Sequence, residues 1–264
     1  TLLFLVIGVP LLFTALWLMQ VSGKYWWLYL WLVWMAFNLL AMVIYPIWIA
    51  PLFNKFETLE DETVSKSVTE LMKRTGFKVQ GLFVVDGSRR SAHSNAYFTG
   101  LGKSKRVVFF DTLLDTLSAD EIVAVLAHEL GHFKRRHIIK RISVFFMISL
   151  VALALLGGLM QQQWFYQGLG MTTPSNHAAL MLFMMVGPVF LFFIHPISSW
   201  FSRKHEFEAD DYAKENANAG DLVTALLKLY RDNANTLTPD PIHSAFYDSH
   251  PPASIRIKHL QSAN

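Results

Sequence analysis

The chain has 264 residues, no cysteine, 53% hydrophobic residues and only 16% charged ones. A mean hydropathy of +0.32 is too apolar for an ordinary soluble domain. The missing cysteine excludes disulfides and thiolate metal ligands and fits a reducing compartment. The formal net charge of +3 comes from basic residues flanking apolar runs, which gives no case for nucleic acid as a partner and points to the lipid bilayer instead.

Four stretches are long enough to span a bilayer, at roughly residues 1–20, 26–53, 142–160 and 178–201. The first is already apolar at Leu2 and has neither a basic leader nor a small-residue cleavage site, so it reads as a span whose own beginning has been cut, with further helices expected ahead of it. The second opens on Trp26, Trp27, Tyr29, Trp31 and Trp34, a cluster suited either to a membrane interface or to plain aromatic packing. Pro46 and Pro51 mark a kink or exit near its end.

A polar segment follows. Residues 60–75 predict an amphipathic helix with Val64, Val68, Leu71 and Met72 on one side, stopped by Gly76. Leu82–Val85 reads as a short buried strand before the turn Asp86-Gly87-Ser88. Ala92–Thr99 and Lys105–Phe110 predict two more strands, giving a small sheet whose edge could pair with an extended peptide.

Ser118 and Glu121 have the spacing of a capping box, so a helix starts there and runs through the apolar positions Ile122, Val123, Val125, Leu126 and Leu130. On that helix lies His128-Glu129-Leu130-Gly131-His132, an H-E-x-x-H motif. Histidines four apart share a helix face and can reach one metal ion, with the intervening Glu129 close enough to act as general base on a water. Gly131 costs about 1 kcal/mol relative to alanine in a helix, a cost that makes sense where two backbones approach closely.

Zinc with three protein ligands and an open position is the expectation for this donor set. The third ligand is expected at Glu206, in Glu206-Phe207-Glu208-Ala209-Asp210. Glu206 and Asp210 share a face, so Asp210 could hold the outer nitrogen of a ligand histidine and fix its tautomer. Glu208 falls on another face and is expected in solvent. An acidic helix surface would show the same spacing. His93, His137, His177, His243 and His259 are expected to be solvated or interfacial. His195 lies within the fourth span beside Pro196, either as a functional intramembrane group or as a partner for the backbone near the proline.

Charge sets the orientation. Lys134, Arg135, Arg136, Lys140 and Arg141 precede the third span, and Arg203 and Lys204 follow the fourth, whereas residues 161–177 contain no lysine or arginine. The positive-inside rule puts residues 54–141 and 202–264 in the cytoplasm, on one side, as a shared metal site requires. The expected organisation is two spans in 1–53, a cytoplasmic part with sheet and H-E-x-x-H helix in 54–141, two spans in 142–201, and a cytoplasmic part carrying the third ligand in 202–264. The fold class is therefore mainly α and integral to the membrane: a multi-span helical bundle with a zincin-like metalloprotease domain that contains a small β-sheet.

Several runs together resemble the type I CAAX prenyl protease family of integral-membrane zinc peptidases. They are Val85-Asp86-Gly87-Ser88-Arg89-Arg90-Ser91-Ala92-His93-Ser94-Asn95-Ala96-Tyr97-Phe98-Thr99-Gly100, the stretch Lys105–Leu114, the H-E-L-G-H helix, Ser202–Asp210 and Ser249-His250-Pro251-Pro252. The resemblance extends from about residue 45 onward, and its Asp-Gly-Ser to Thr-Gly run separates it from the heat-shock membrane proteases of the HtpX type. It implies zinc on His128, His132 and Glu206, with Glu129 as general base. It implies Asn95 on the substrate-binding edge, His250 facing the site to steady an oxyanion, and Arg256 near the metal-binding carboxylate. It also implies cleavage just after a prenylated cysteine, and a chamber built of seven spans where this chain shows four. The alternatives are an HtpX-like quality-control protease using the same chemistry, and a non-enzymatic metal-binding or transport protein. The last has little support, because His195 is the only ionisable residue noted inside the spans and simple transport leaves Glu129 without a role.

Overall fold

The computed structural model describes residues 2–89, 95–100, 105–232 and 239–262. The expected strand residues Ala92 to Ser94, and His93 with them, lie outside the described residues. In chain order the helices are α1 (Leu2–Val21), α2 (Trp26–Ile44), α3 (Ala50–Phe53), α4 (Glu62–Arg74), α5 (Asp111–Thr116), α6 (Ala119–Lys134), α7 (His137–Leu159), α8 (Gln163–Gly168), α9 (Asn176–Asn216), α10 (Ala219–Asp232), α11 (Pro241–Tyr247) and α12 (Ala253–Gln261). The strands are β1 (Phe56–Thr58), β2 (Gly81–Val85), β3 (Ala96–Thr99) and β4 (Arg106–Phe110). The chain divides into two units: residues 1–41 with 139–194, and residues 42–138 with 195–264.

The first unit is a set of apolar helices. Among the described residues three helical stretches are long and apolar enough to cross a membrane, Gly23–Phe53, His137–Leu159 and Asn176–Asn216, and α1 adds a shorter apolar one. Their outward surfaces are rich in large apolar side chains, Phe13, Met185 and Phe193 among them. That much apolar surface left in water would be unfavourable, whereas hydrocarbon accepts it. Inside, Met19, Trp26, Leu156, Phe165, Tyr166, Ala178 and Ala179 form a compact core. Trp31 Nε1 donates to the Phe146 carbonyl at 2.9 Å, which ties α2 to α7.

The second unit holds the sheet and the motif helix. The sheet has four strands in the order β1-β2-β4-β3. β1 runs antiparallel to β2, with Phe56 opposite Val85. β2 and β4 are parallel, Gly81 pairing with Arg106 and Val85 with Phe110. β3 closes the far edge antiparallel to β4, Ala96 opposite Phe109. Strands stand where the sequence places them: β2 begins one residue before its expected start, β4 one residue after, and Ala96–Thr99 of the third expected strand form β3. β1 was not expected; its three residues become a strand only by pairing with β2.

α6 lies at the centre of this unit. Ile122, Leu126 and Leu130 on α6 pack among Val68 and Leu71 of α4, Val107 and Phe109 of β4, and Leu222 and Leu226 of α10. Burial of each such side chain contributes about 1.5–3 kcal/mol, so the motif helix is fixed on several sides. Its start is fixed as well. Ser118 and Glu121 close a reciprocal capping box, and Glu121 Oε2 also accepts from Lys228 Nζ at 2.7 Å. Burial opposes the charged form of Glu121, but the Lys228 ammonium and the Ser118 amide outweigh it and hold the carboxyl below its ordinary range. α4 has the length and face read from the sequence: Asp61 caps its start and Gly76 follows its end in the left-handed region at φ 64°.

Candidate metal centre

α6 projects His128 and His132 from one face, and α9 brings Glu206 against them. The two Nε2 atoms are 3.2 Å apart. Glu206 Oε1 is 3.2 Å from His132 Nε2, and Oε2 is 3.5 Å from His128 Nε2. The approach of the two helices depends on Gly131: a Cβ there would fall 2.8 Å from the Cα of Ala209 on α9. The glycine between the histidines therefore marks a close backbone approach.

The tautomer of His128 is set from behind. Its Nδ1 is 2.8 Å from Asp210 Oδ1, and Asp210 is fully buried. A buried carboxylate accepts, so Nδ1 carries a proton, and Nε2 is the nitrogen turned toward Glu206 and His132. Asp210 is itself held by Arg256 of α12, which donates through Nε at 2.9 Å and Nη2 at 2.6 Å, a two-pronged contact between buried groups. Burial opposes the charge on His128, yet its hydrogen bonds to Asp210 and Glu206 outweigh it and raise the imidazole to about 9. The environment favours positive charge at this spot, whether a proton or a metal cation supplies it.

The donor set fits zinc. His128, His132 and Glu206 offer ligand atoms that all lie within 4.8 Å of one another. Two imidazole nitrogens and a carboxylate converge with their lone pairs, an arrangement that repels itself until a cation sits among them. Glu206 Oε2 is buried without an aligned hydrogen bond, although His250 Nδ1 lies 2.9 Å away and Arg256 Nη1 3.5 Å away. An orphaned carboxylate oxygen is what a metal ligand looks like before coordination.

The remaining expected residues are distributed as follows. Glu129 is half-buried, one step along α6 from His128. His250 reaches Glu206 with a side chain that is 63% exposed. Asn95 is exposed immediately before edge strand β3, where its carbonyl accepts from Phe110 N at 2.9 Å. His195 turns its Nδ1 to the Phe246 carbonyl at 3.0 Å, with Ser199 Oγ at 3.3 Å, and takes no part in the metal group.

Two readings of the sequence are corrected. His137 is buried, and Glu208 is engaged rather than solvated. His137 Nδ1 is 3.0 Å from His132 Nδ1, and His137 Nε2 is 2.9 Å from Glu208 Oε2. His205 stacks on His137 with ring centroids 4.0 Å apart. The physical cause is the break after α6, where Arg136 takes the left-handed conformation at φ 56° and starts α7 at His137, against the metal group. No sequence pattern announces a left-handed arginine. His259 is likewise paired, with Asp211 Oδ1 at 2.7 Å.

Residues 58–264 match the profile of Peptidase family M48. This chain belongs to that family. Residues 1–55 match a second profile, described as the CAAX prenyl protease N-terminal segment of five membrane helices. CAAX prenyl protease 1 of Saccharomyces cerevisiae is 36% identical over 96% of this chain and 60% of its own length. The Arabidopsis thaliana homolog is 36% identical over 98% of this chain and 61% of its own length, and the human homolog 30% over 96% and 62%. The crystal structure of S. mikatae Ste24p superposes with a TM-score of 0.90 at 36% identity, covering 98% of this chain and 64% of that one. The chain thus spans about three-fifths of the length of the curated relatives it matches. It is an integral membrane protein, mainly helical with a small mixed sheet, the fold class expected from its sequence.

Proposed function

We propose that this chain carries the catalytic centre of a membrane-embedded zinc endopeptidase that cleaves polypeptides near a prenylated C-terminus, with the centre on the cytoplasmic side. The observation that carries the reading is the convergence of His128, His132 and Glu206, with a buried and unaligned Glu206 Oε2 among them. The substrate class is carried over from the relatives, which bear the name CAAX prenyl protease. The cytoplasmic side rests on the basic residues that flank the spans.

A zinc ion held by those three residues would supply Lewis acidity toward the scissile carbonyl and the attacking water. Glu129, half-buried next to His128, takes the proton from that water and returns it to the leaving amine. His250 stands at the open side of Glu206, where an exposed imidazole can donate to the oxygen that gains charge. Asp210, held by Arg256, engages Nδ1 of His128 and so leaves Nε2 as the nitrogen aimed at the group. Asn95 lies beside a sheet edge that offers backbone pairing to an extended peptide.

The test is cleavage by detergent-purified protein of a farnesylated C-terminal peptide, its unmodified twin and casein, with Glu129→Gln as the blank. Chelator-sensitive cleavage confined to the farnesylated peptide supports the proposal. Cleavage of casein with indifference to farnesyl replaces it with the quality-control reading. Bound zinc without any turnover counts against the peptidase reading and favours the non-enzymatic one.

A further inference from the structure

His132 raises a question that His128 does not. His128 has a buried carboxylate behind it to fix its tautomer, whereas His132 has another histidine. His132 Nδ1 lies 3.0 Å from His137 Nδ1, so one of the two nitrogens donates and the other accepts. Left alone, an imidazole pair adopts either arrangement. Only one leaves a lone pair on His132 Nε2, the atom that faces Glu206 Oε1 at 3.2 Å.

Glu208 breaks the tie. Its Oε2 is 2.9 Å from His137 Nε2, and a carboxylate accepts. His137 then carries its proton on Nε2 and offers a lone pair at Nδ1. His132 must donate from Nδ1, and its Nε2 is left free for a metal. The His205 ring, stacked on His137 at 14° and 4.0 Å, keeps the middle member from rotating out of line. His137 is almost wholly buried, 3% exposed at the side chain, so water does not supply a substitute partner.

We propose that His137 and Glu208 are positioning residues for the metal: a two-residue relay from α7 and α9 that fixes the tautomer of His132, as Asp210 does for His128. The inference rests on the zinc reading of the site. It adds that each ligand histidine has its own orienting partner, one direct and one through an intervening imidazole. Partners of this kind, when removed, weaken metal affinity by about 10–100-fold in other metalloproteins.

The experiment is chelator-competition titration of zinc on the full chain in detergent, for wild type and four variants. His137→Phe keeps a ring against His205 but removes the acceptor; zinc affinity falls by about 10-fold or more. His137→Asn places an amide oxygen where Nδ1 was, so affinity returns to within about 3-fold of wild type. Glu208→Met, at a partly exposed position that tolerates substitution, weakens zinc by about 10-fold, whereas Glu208→Gln, whose amide oxygen still accepts, stays within about 3-fold. Equal loss in His137→Phe and His137→Asn, or wild-type affinity in His137→Phe and Glu208→Met, overturns the relay. A wild-type protein that binds no zinc overturns the metal reading itself, and the relay with it.

Discussion

Gly131→Ala sets helix propensity against packing at the metal centre. On propensity alone alanine stabilises a helix interior by about 1 kcal/mol over glycine. The added methyl, however, would sit 2.8 Å from the Cα of Ala209, 3.0 Å from its carbonyl oxygen and 3.0 Å from Tyr212 Cβ. Two of these atoms are backbone and cannot swing aside. Ordinary contact requires α6 and α9 to separate by roughly 0.6 Å, on the steep side of the van der Waals wall. Overpacking of this kind costs about 1–3 kcal/mol. The net expectation is a loss of about 0–2 kcal/mol, or a Tm lower by up to about 8 °C. The same separation carries His128 and His132 away from Glu206, whereas metal sites tolerate only about 0.2 Å in ligand distance, so zinc affinity falls by more than about 10-fold. The assays are thermal unfolding with and without chelator, and chelator competition. A variant that melts higher than wild type with unchanged zinc affinity would refute the close-approach reasoning.

The other expectations concern the groups behind the ligands. Glu206→Ala removes the carboxylate of the triad and is expected to abolish stoichiometric zinc, read by metal analysis after dialysis; full zinc content would show that the third ligand lies elsewhere. Arg256→Lys loses the two-pronged grip on Asp210 and leaves a buried carboxylate underpaired, a destabilisation of about 3 kcal/mol by thermal or denaturant unfolding. Ser118→Ala removes the cap of α6 and costs about 1 kcal/mol without changing zinc stoichiometry. The Glu121 carboxyl is held below its ordinary value of 4.5. Its contribution to stability is therefore complete above that value and is lost as pH falls through the lower folded-state value. Glu121→Gln should flatten the stability curve below pH 4.5 and leave it parallel to wild type above. An unchanged acid limb would mean that the Lys228 contact contributes nothing.

Much of the fold could be read before any coordinates, and for definite reasons. The capping box, the apolar face of α4 and the apolar run Leu82–Val85 follow short-range rules, and those elements stand where expected. β1 could not be read because Phe56-Glu57-Thr58 has no strand pattern of its own; it exists through β2. The change from apolar to charged composition near residue 201 suggests an element boundary, yet α9 continues to Asn216, since helical hydrogen bonding is indifferent to that change. In the site, the grouping of His128, His132 and Glu206 was legible because residues four apart share a helix face. His137 and Glu208 were not. The turn at Arg136 that swings His137 back onto His132 leaves no mark in the sequence, and Glu208 appears solvated when α9 is viewed by itself.

The contact between Arg256 and the His128–Asp210 pair joins residues 128 positions apart in the chain. A ribosome adding about 5–20 residues per second takes several seconds to cover that interval. During it α6 and then α9 exist, but Asp210 has no arginine to face. The negative charge meant to orient His128 is uncompensated until α12 emerges. The group is thus complete only when three helices are present: α6 and α9 bring the two histidines and the two acids, and α12 brings the residue that steadies Asp210.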